Sequence, residues 1–163
     1  DIAQAAGVSR QTVYARFADK DAIISATIAF LGARSLALAR EEWQQNKALP
    51  AQLDAYLRHC VIALFQQGHQ APGGWDSIIA TQPEAHAAVR QLVRQRAEAL
   101  ETILTPYAAR LAKAGQNPAD LALFISTVGD SLKHSAQTEA ELIRGLNTLS
   151  VSVLALIGGT ELP

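Results

Sequence analysis

Nearly every segment of this 163-residue chain repeats its apolar residues at steps of three and four, and none alternates as a strand would. A helix of 3.6 residues per turn gathers such residues into one stripe, and a stripe must be buried against its neighbours. The fold class that follows is all-α. Hydrophobic residues make up 49% and charged residues 18%, enough apolar material for a core, so wholesale disorder is excluded. The formal net charge of −1 points to no partner, and any nucleic-acid reading has to come from local pattern.

Punctuation divides the periodic pattern into elements. Ile2 to Ala6 is a short Ala-rich helix that stops at Gly7. Ser9 is placed to cap a second short helix, Arg10 to Phe17. Asp19 caps a long third one starting near Lys20, whose stripe carries Ile24, Ile28, Leu31 and Leu38 and runs to about Gln45. Asn46 to Pro50 reads as a turn. The next stripe, Leu53, Leu57, Cys60, Val61, Leu64 and Phe65, stops before Gly68. Pro72, Gly73 and Gly74 break the chain, and Trp75 to Gln82 forms a short helix.

Pro83 then opens a long helix with the stripe Val89, Leu92, Val93, Leu100, Ile103 or Leu104, Tyr107 and Leu111, and Pro106 predicts a kink in it. After Gly115 to Asn117, a helix to about Ser135 buries Leu121, Phe124, Ile125, Val128 and Leu132, with small residues Ala122, Ser126 and Gly129 on a second line. The last helix, Glu139 to Ile157, is apolar around most of its circumference. Such a helix needs two partners, its own core and a second subunit.

The segment DIAQAAGVSRQTVYARFADK carries the function. Two short helices around a Gly-containing turn are the ingredients of a helix-turn-helix. Ile2, Ala5 or Ala6, Val8, Val13 and Phe17 hold the two helices together, which leaves Arg10, Gln11, Tyr14 and Arg16 on the remaining faces. Arg donates two hydrogen bonds to guanine and Gln pairs with adenine, while Ser9 and Tyr14 reach phosphate oxygens. Lys20 adds a charge beside the N-terminal amides of the third helix.

The run IA, AGVS, T-V-Y, F and a polar residue before K, continuing into a long amphipathic helix, resembles the DNA-binding module of the TetR repressor family. The resemblance covers roughly the first 30 residues; beyond them only the helical architecture agrees. It implies phosphate contacts from Tyr14 and Lys20 and base contacts from Arg10, Gln11 and Arg16, with Ser9 and Thr12 completing the DNA-facing set. It also implies two functional parts. Residues 1–45 would form an incomplete DNA module with its linking helix, and residues 46–163 a helical domain that binds a ligand and dimerises through its last two helices. A helix that the family places ahead of this segment is expected upstream, since the chain opens at Asp1 inside a patterned stretch and has no Met. The lactose-repressor pattern also carries AGVSR and T-V, but there a hinge and an α/β domain follow, whereas here Phe17 and Lys20 lead straight into a helix.

The partners implied are double-stranded operator DNA, a small-molecule effector and a second copy of the chain, with no cofactor and no metal. Tyr56, Cys60, Trp75, Tyr107 and Phe124 are candidates to line an apolar effector cavity, and the same residues are compatible with a packed core. His59, His69, His86 and His134 have no metal-ligand spacing, and the single Cys60 excludes a disulfide framework. No HExxH, GxSxG, Walker loop or GxGxxG is present, so no enzyme is expected. No signal peptide is seen, no uninterrupted apolar run reaches membrane-spanning length, and a cytoplasmic location is expected. The competing reading is a helical dimer that binds ligand or protein and not DNA.

Overall fold

A computed structural model describes residues 2–70 and 83–158, with the side chains of residues 2, 5, 69, 70, 83 and 84 left aside. Among the described residues every regular element is a helix. The expected break at Pro72–Gly74, the short helix at Trp75–Gln82 and the candidate Trp75 lie outside them.

Helix α1 spans Ile2–Ala5 and ends where expected. Gly7 has φ +65°, the Gly7 N–H bonds the Gln4 carbonyl and the Val8 N–H bonds the Ala3 carbonyl. This paired closure satisfies two terminal carbonyls and needs a residue without a Cβ at its left-handed position. Helix α2 spans Arg10–Tyr14, shorter than expected. The chain still turns helically to Phe17, whose N–H bonds the Val13 carbonyl at 3.0 Å.

Helix α3, Lys20–Gln45, has the predicted bounds, and its Asp19 cap accepts the Ala22 N–H at 2.8 Å. It buries Ile24, Ile28, Gly32, Ser35, Leu36, Ala39 and Trp43. Leu38, expected on that stripe, is exposed, because the buried line advances by four and three through Ser35 and Ala39 instead. By length and composition this helix could also cross a membrane: its most apolar window has a mean hydropathy of 1.7, with a third of it buried inside the molecule. The run is not an uninterrupted apolar one, since Arg34 stands within it.

After Asn46, α4 (Leu49–Leu57) begins with Pro50 in its first turn, passes through one π-helical turn at Arg58–Ile62 and continues as α5 (Ala63–Gln70). The helix thus runs through Gly68 and does not stop before it. A glycine in a helix costs about 1 kcal/mol relative to alanine and does not by itself end one.

Helix α6 spans Pro83–Leu104, a 3-10 turn at Thr105–Tyr107 makes the expected break at Pro106, and α7 follows at Ala108–Lys113. Gly115 closes α7 in the same manner as Gly7 closes α1, with φ +70°. Helices α8 (Pro118–Ser135) and α9 (Glu139–Leu156) are capped by the Asn117 and Thr138 side chains.

The main core joins Trp43 of α3, Leu53 and Tyr56 of α4, Leu100 and Leu104 of α6, Ile125 of α8, and Leu142, Leu146 and Val153 of α9. Burying each such side chain contributes about 1.5–3 kcal/mol. A second, smaller cluster of Ile24, Ile28, Ala85 and Leu92 pins the first half of α3 to α6. Trp43 Nε1 donates to the Gln52 carbonyl at 2.7 Å, and Glu42 takes Arg58 at 2.6 Å and His59 at 2.6 Å, so α3 and the α4 segment are clamped at one end. In α9 Leu142, Leu146, Leu149, Val153 and Leu154 are buried, while Ile143, Val151 and Leu156 stay exposed at separate positions round the helix.

Candidate nucleic-acid interface

Ser9 starts the site. Its backbone is extended, and its Oγ accepts the Thr12 N–H at 3.1 Å while lying 2.8 Å from Thr12 Oγ1. One donor at the start of α2 is thereby satisfied, and the two hydroxyls that could meet phosphate are held together. Both residues remain exposed.

Helical spacing then sorts the rest. Val13 and Phe17, one turn apart, are the partly buried residues of the stretch from Ser9 to Asp19, and Arg10, Gln11, Tyr14 and Arg16 are all exposed, Tyr14 at 65%. Helix α1 packs on α2, with Ala3 buried. Val8, expected between the helices, is instead exposed at 42%. It lies just past the glycine turn, where the Val8 N–H ties back to Ala3 and the side chain is left on the outside. Lys20 is exposed in the first turn of α3, next to its Asp19 cap.

The arrangement therefore presents two arginines, a glutamine, a tyrosine and a lysine on and beside one short helix, with its apolar pair turned inward. Side chains of this kind supply bidentate contacts to base edges and donors to phosphates. None of them is packed into the large core.

The second set of candidates divides. Tyr56 and Cys60 are fully buried in the main core, where burial pushes both the phenol and the thiol above their ordinary ranges. Tyr107 is half-buried against the same core. Phe124 is not in the core at all: it is 54% exposed beside exposed Leu123, because Leu121, Ala122, Ile125, Ser126 and Gly129 form the inward line of α8. Its expected place on the buried stripe is corrected accordingly. Among the described residues no group of His, Cys, Asp and Glu is placed to hold a metal.

Sequence reasoning missed Arg96 and Ser35, both buried. The signal for Arg96 was present, since it stands four residues after Leu92 and four before Leu100, inside the stripe of α6.

Residues 1–27 match the sequence profile of the bacterial regulatory proteins, tetR family. The match spans α1, the turn, α2 and the first turns of α3, the residues that build the exposed polar surface. No curated protein and no solved structure matches the chain.

Proposed function

We propose that this chain, whose residues 1–27 match the tetR-family profile, is a DNA-binding transcriptional regulator of that family and, more closely, a dimeric repressor released by a small-molecule effector. The observation that supports this reading most strongly is the division of α2 and the turn after it, with Val13 and Phe17 partly buried and Arg10, Gln11, Tyr14 and Arg16 exposed. In this reading α2 lies in the major groove. Arg10, Gln11 and Arg16 meet base edges, and Ser9, Thr12, Tyr14 and Lys20 meet phosphates. A helix ahead of α1, which the family resemblance implies, would close over Val8 and the open edges of Val13 and Phe17.

Residues 1–45 serve as DNA module and linking helix, and residues 46–163 as the effector and dimer domain. The dimer forms through α8 and α9, whose exposed Leu123, Phe124, Ile143, Val151 and Leu156 offer apolar surface of the kind a stable partner covers. A two-fold axis there sets two α2 helices toward successive major grooves of a palindromic operator. Effector binding favours a dimer whose modules are spaced wrongly for DNA, and it does so only as far as its affinities for the two forms differ.

Gel-shift of the full-length protein against its own upstream DNA, over a salt series, is the test. The reading predicts tight binding that weakens steeply as salt rises, as phosphate contacts require. Absence of binding at low salt would leave a helical dimer that takes a ligand or a protein and not DNA.

A further inference from the structure

Arg96 is 1% exposed, and its guanidinium makes one long contact, Nη2 to Ser35 Oγ at 3.4 Å. Its Nε has no acceptor, and no carboxylate of the described residues is paired with it. Tyr56, within reach of that charge, is fully buried and its hydroxyl has no hydrogen-bond partner either. Ser126 stands beside that hydroxyl and directs its own hydrogen to the Val93 carbonyl at 2.9 Å. Asp130, whose charge reaches Tyr56, is taken by Lys133 at 2.7 Å and by His134.

The cluster thus draws on α3 (Ser35), α4 (Tyr56), the π-helical turn (Cys60), α6 (Arg96) and α8 (Ser126). A π-turn widens a helix locally and recurs at functional sites. A lone guanidinium in an apolar interior is strongly unfavourable unless an anion compensates it, and a fork of N–H donors matches a carboxylate best. The Asp130 charge that reaches this cluster is already bound by Lys133 and His134, so Arg96 is left without an anion of its own among the described residues, and a negative charge with an apolar body is its complement.

We propose that Arg96 and Tyr56 form the anchoring end of the effector site and that the effector is a small apolar carboxylate. Its two oxygens accept from Arg96 Nε and an Nη, and the Tyr56 hydroxyl donates to one of them. Ser35 holds the guanidinium in place. The inference rests on the effector-regulated reading above, and it names the chemical class that reading leaves open.

The test uses full-length protein with acetate, benzoate and octanoate at millimolar concentration, each against its uncharged amide. At least one carboxylate is expected to raise the melting temperature by about 3 °C or more while its amide does not. Arg96→Met should abolish that shift while leaving the protein folded, and without ligand it should be no less stable than the natural protein, because it removes an uncompensated charge. Tyr56→Phe, which deletes only a hydroxyl without a partner, should weaken the same carboxylate about 10-fold.

The proposal is overturned if no carboxylate shifts the natural protein, as it would if water alone satisfies Arg96. It is equally overturned if amide and acid act alike, or if both variants respond like the natural protein. Gel-shift without any probe, run alongside, separates the two readings. DNA binding with no carboxylate response removes the site and spares the regulator; a carboxylate response with no DNA binding does the reverse.

Discussion

Gly32 of α3 lies directly against Leu92 of α6: a Cβ at the glycine would stand 2.2 Å from Leu92 Cδ1 and 2.9 Å from Cδ2. The two helices approach this closely because one of them lacks a side chain at the contact. On the N-terminal side of it, Ile24 and Ile28 pack with Ala85 and Leu92, so the part of α3 nearest α1 and α2 is held by α6. Helix α6 also carries Arg96, one turn further on. The first half of α3, which follows α1 and α2, is therefore packed on the same helix that holds the buried guanidinium.

Gly32→Ala should destabilise the fold by about 1–3 kcal/mol, as overpacking of a close contact does. Leu92→Ala alone should also destabilise, by leaving a cavity. Placed together, the two should cost less than their sum, since each removes the other's problem. Denaturant unfolding of the three variants measures the coupling, and simple additivity would show that Leu92 escapes to another rotamer without strain.

The Glu42 carboxyl is held down to about 2 by hydrogen bonds from Arg58 and His59. A carboxylate with a lowered value in the folded state contributes stability above its ordinary pKa of 4.5, and loses it as pH falls toward 2. Glu42→Gln should therefore be less stable than the natural protein at neutral pH, and the gap should close through that acid window. Melting temperatures of both proteins against pH read it directly; a gap unchanged at low pH would mean that the ion pairs add nothing.

Ser9 is expected to act as a cap and as a DNA-facing residue, and two substitutions separate these roles. Ser9→Ala should fray α2 at a cost of about 1 kcal/mol, seen as faster amide exchange at Thr12. Ser9→Asp keeps an acceptor for the Thr12 N–H, so protection should persist, yet its charge should repel phosphate and weaken DNA binding. Intact operator affinity in Ser9→Asp would remove Ser9 from the interface.

Exposed Phe124 and Val151 allow the proposed dimer face to be tested without disturbing the core. Phe124→Glu and Val151→Glu should yield folded monomers by sedimentation, with helical content retained and operator affinity greatly reduced. Dimers that persist in both variants would place the interface elsewhere.

Much of the fold was legible because its boundaries rest on local chemistry. Gly7, Ser9, Asp19 and Pro83 act within a turn of their own position, and the structure uses each of them as the sequence suggests, while Asn117 and Thr138 add caps that the sequence reading did not name. Gly68 misled, since a glycine ends a helix only where the chain needs a left-handed residue, and α5 needs none there. Facing was harder to read than extent. Phe124 and Leu38 are apolar and near a stripe, but which line of a helix turns inward depends on neighbours distant in sequence. In α8 the small residues Ala122, Ser126 and Gly129 lie inward, with Gly129 close to Val61, and Phe124 is left outside. The exposure of Arg10, Gln11, Tyr14 and Arg16 was readable because the stretch from Ser9 to Asp19 has a single apolar pair and a polar remainder. The buried Arg96–Tyr56 cluster was not, because its members sit on separate helices: Arg96 stands out within its own stripe, but nothing in the sequence joins it to Tyr56.

The central claim is that α2 reads DNA through the side chains it turns away from Val13 and Phe17. Competition binding of full-length Arg10→Ala between the natural operator and a scrambled duplex, at one fixed salt concentration, tests it most directly. The account predicts that the variant stays folded and dimeric and loses about 10-fold of its preference for the operator, with binding to the scrambled duplex little changed. An operator preference equal to that of the natural protein would contradict it.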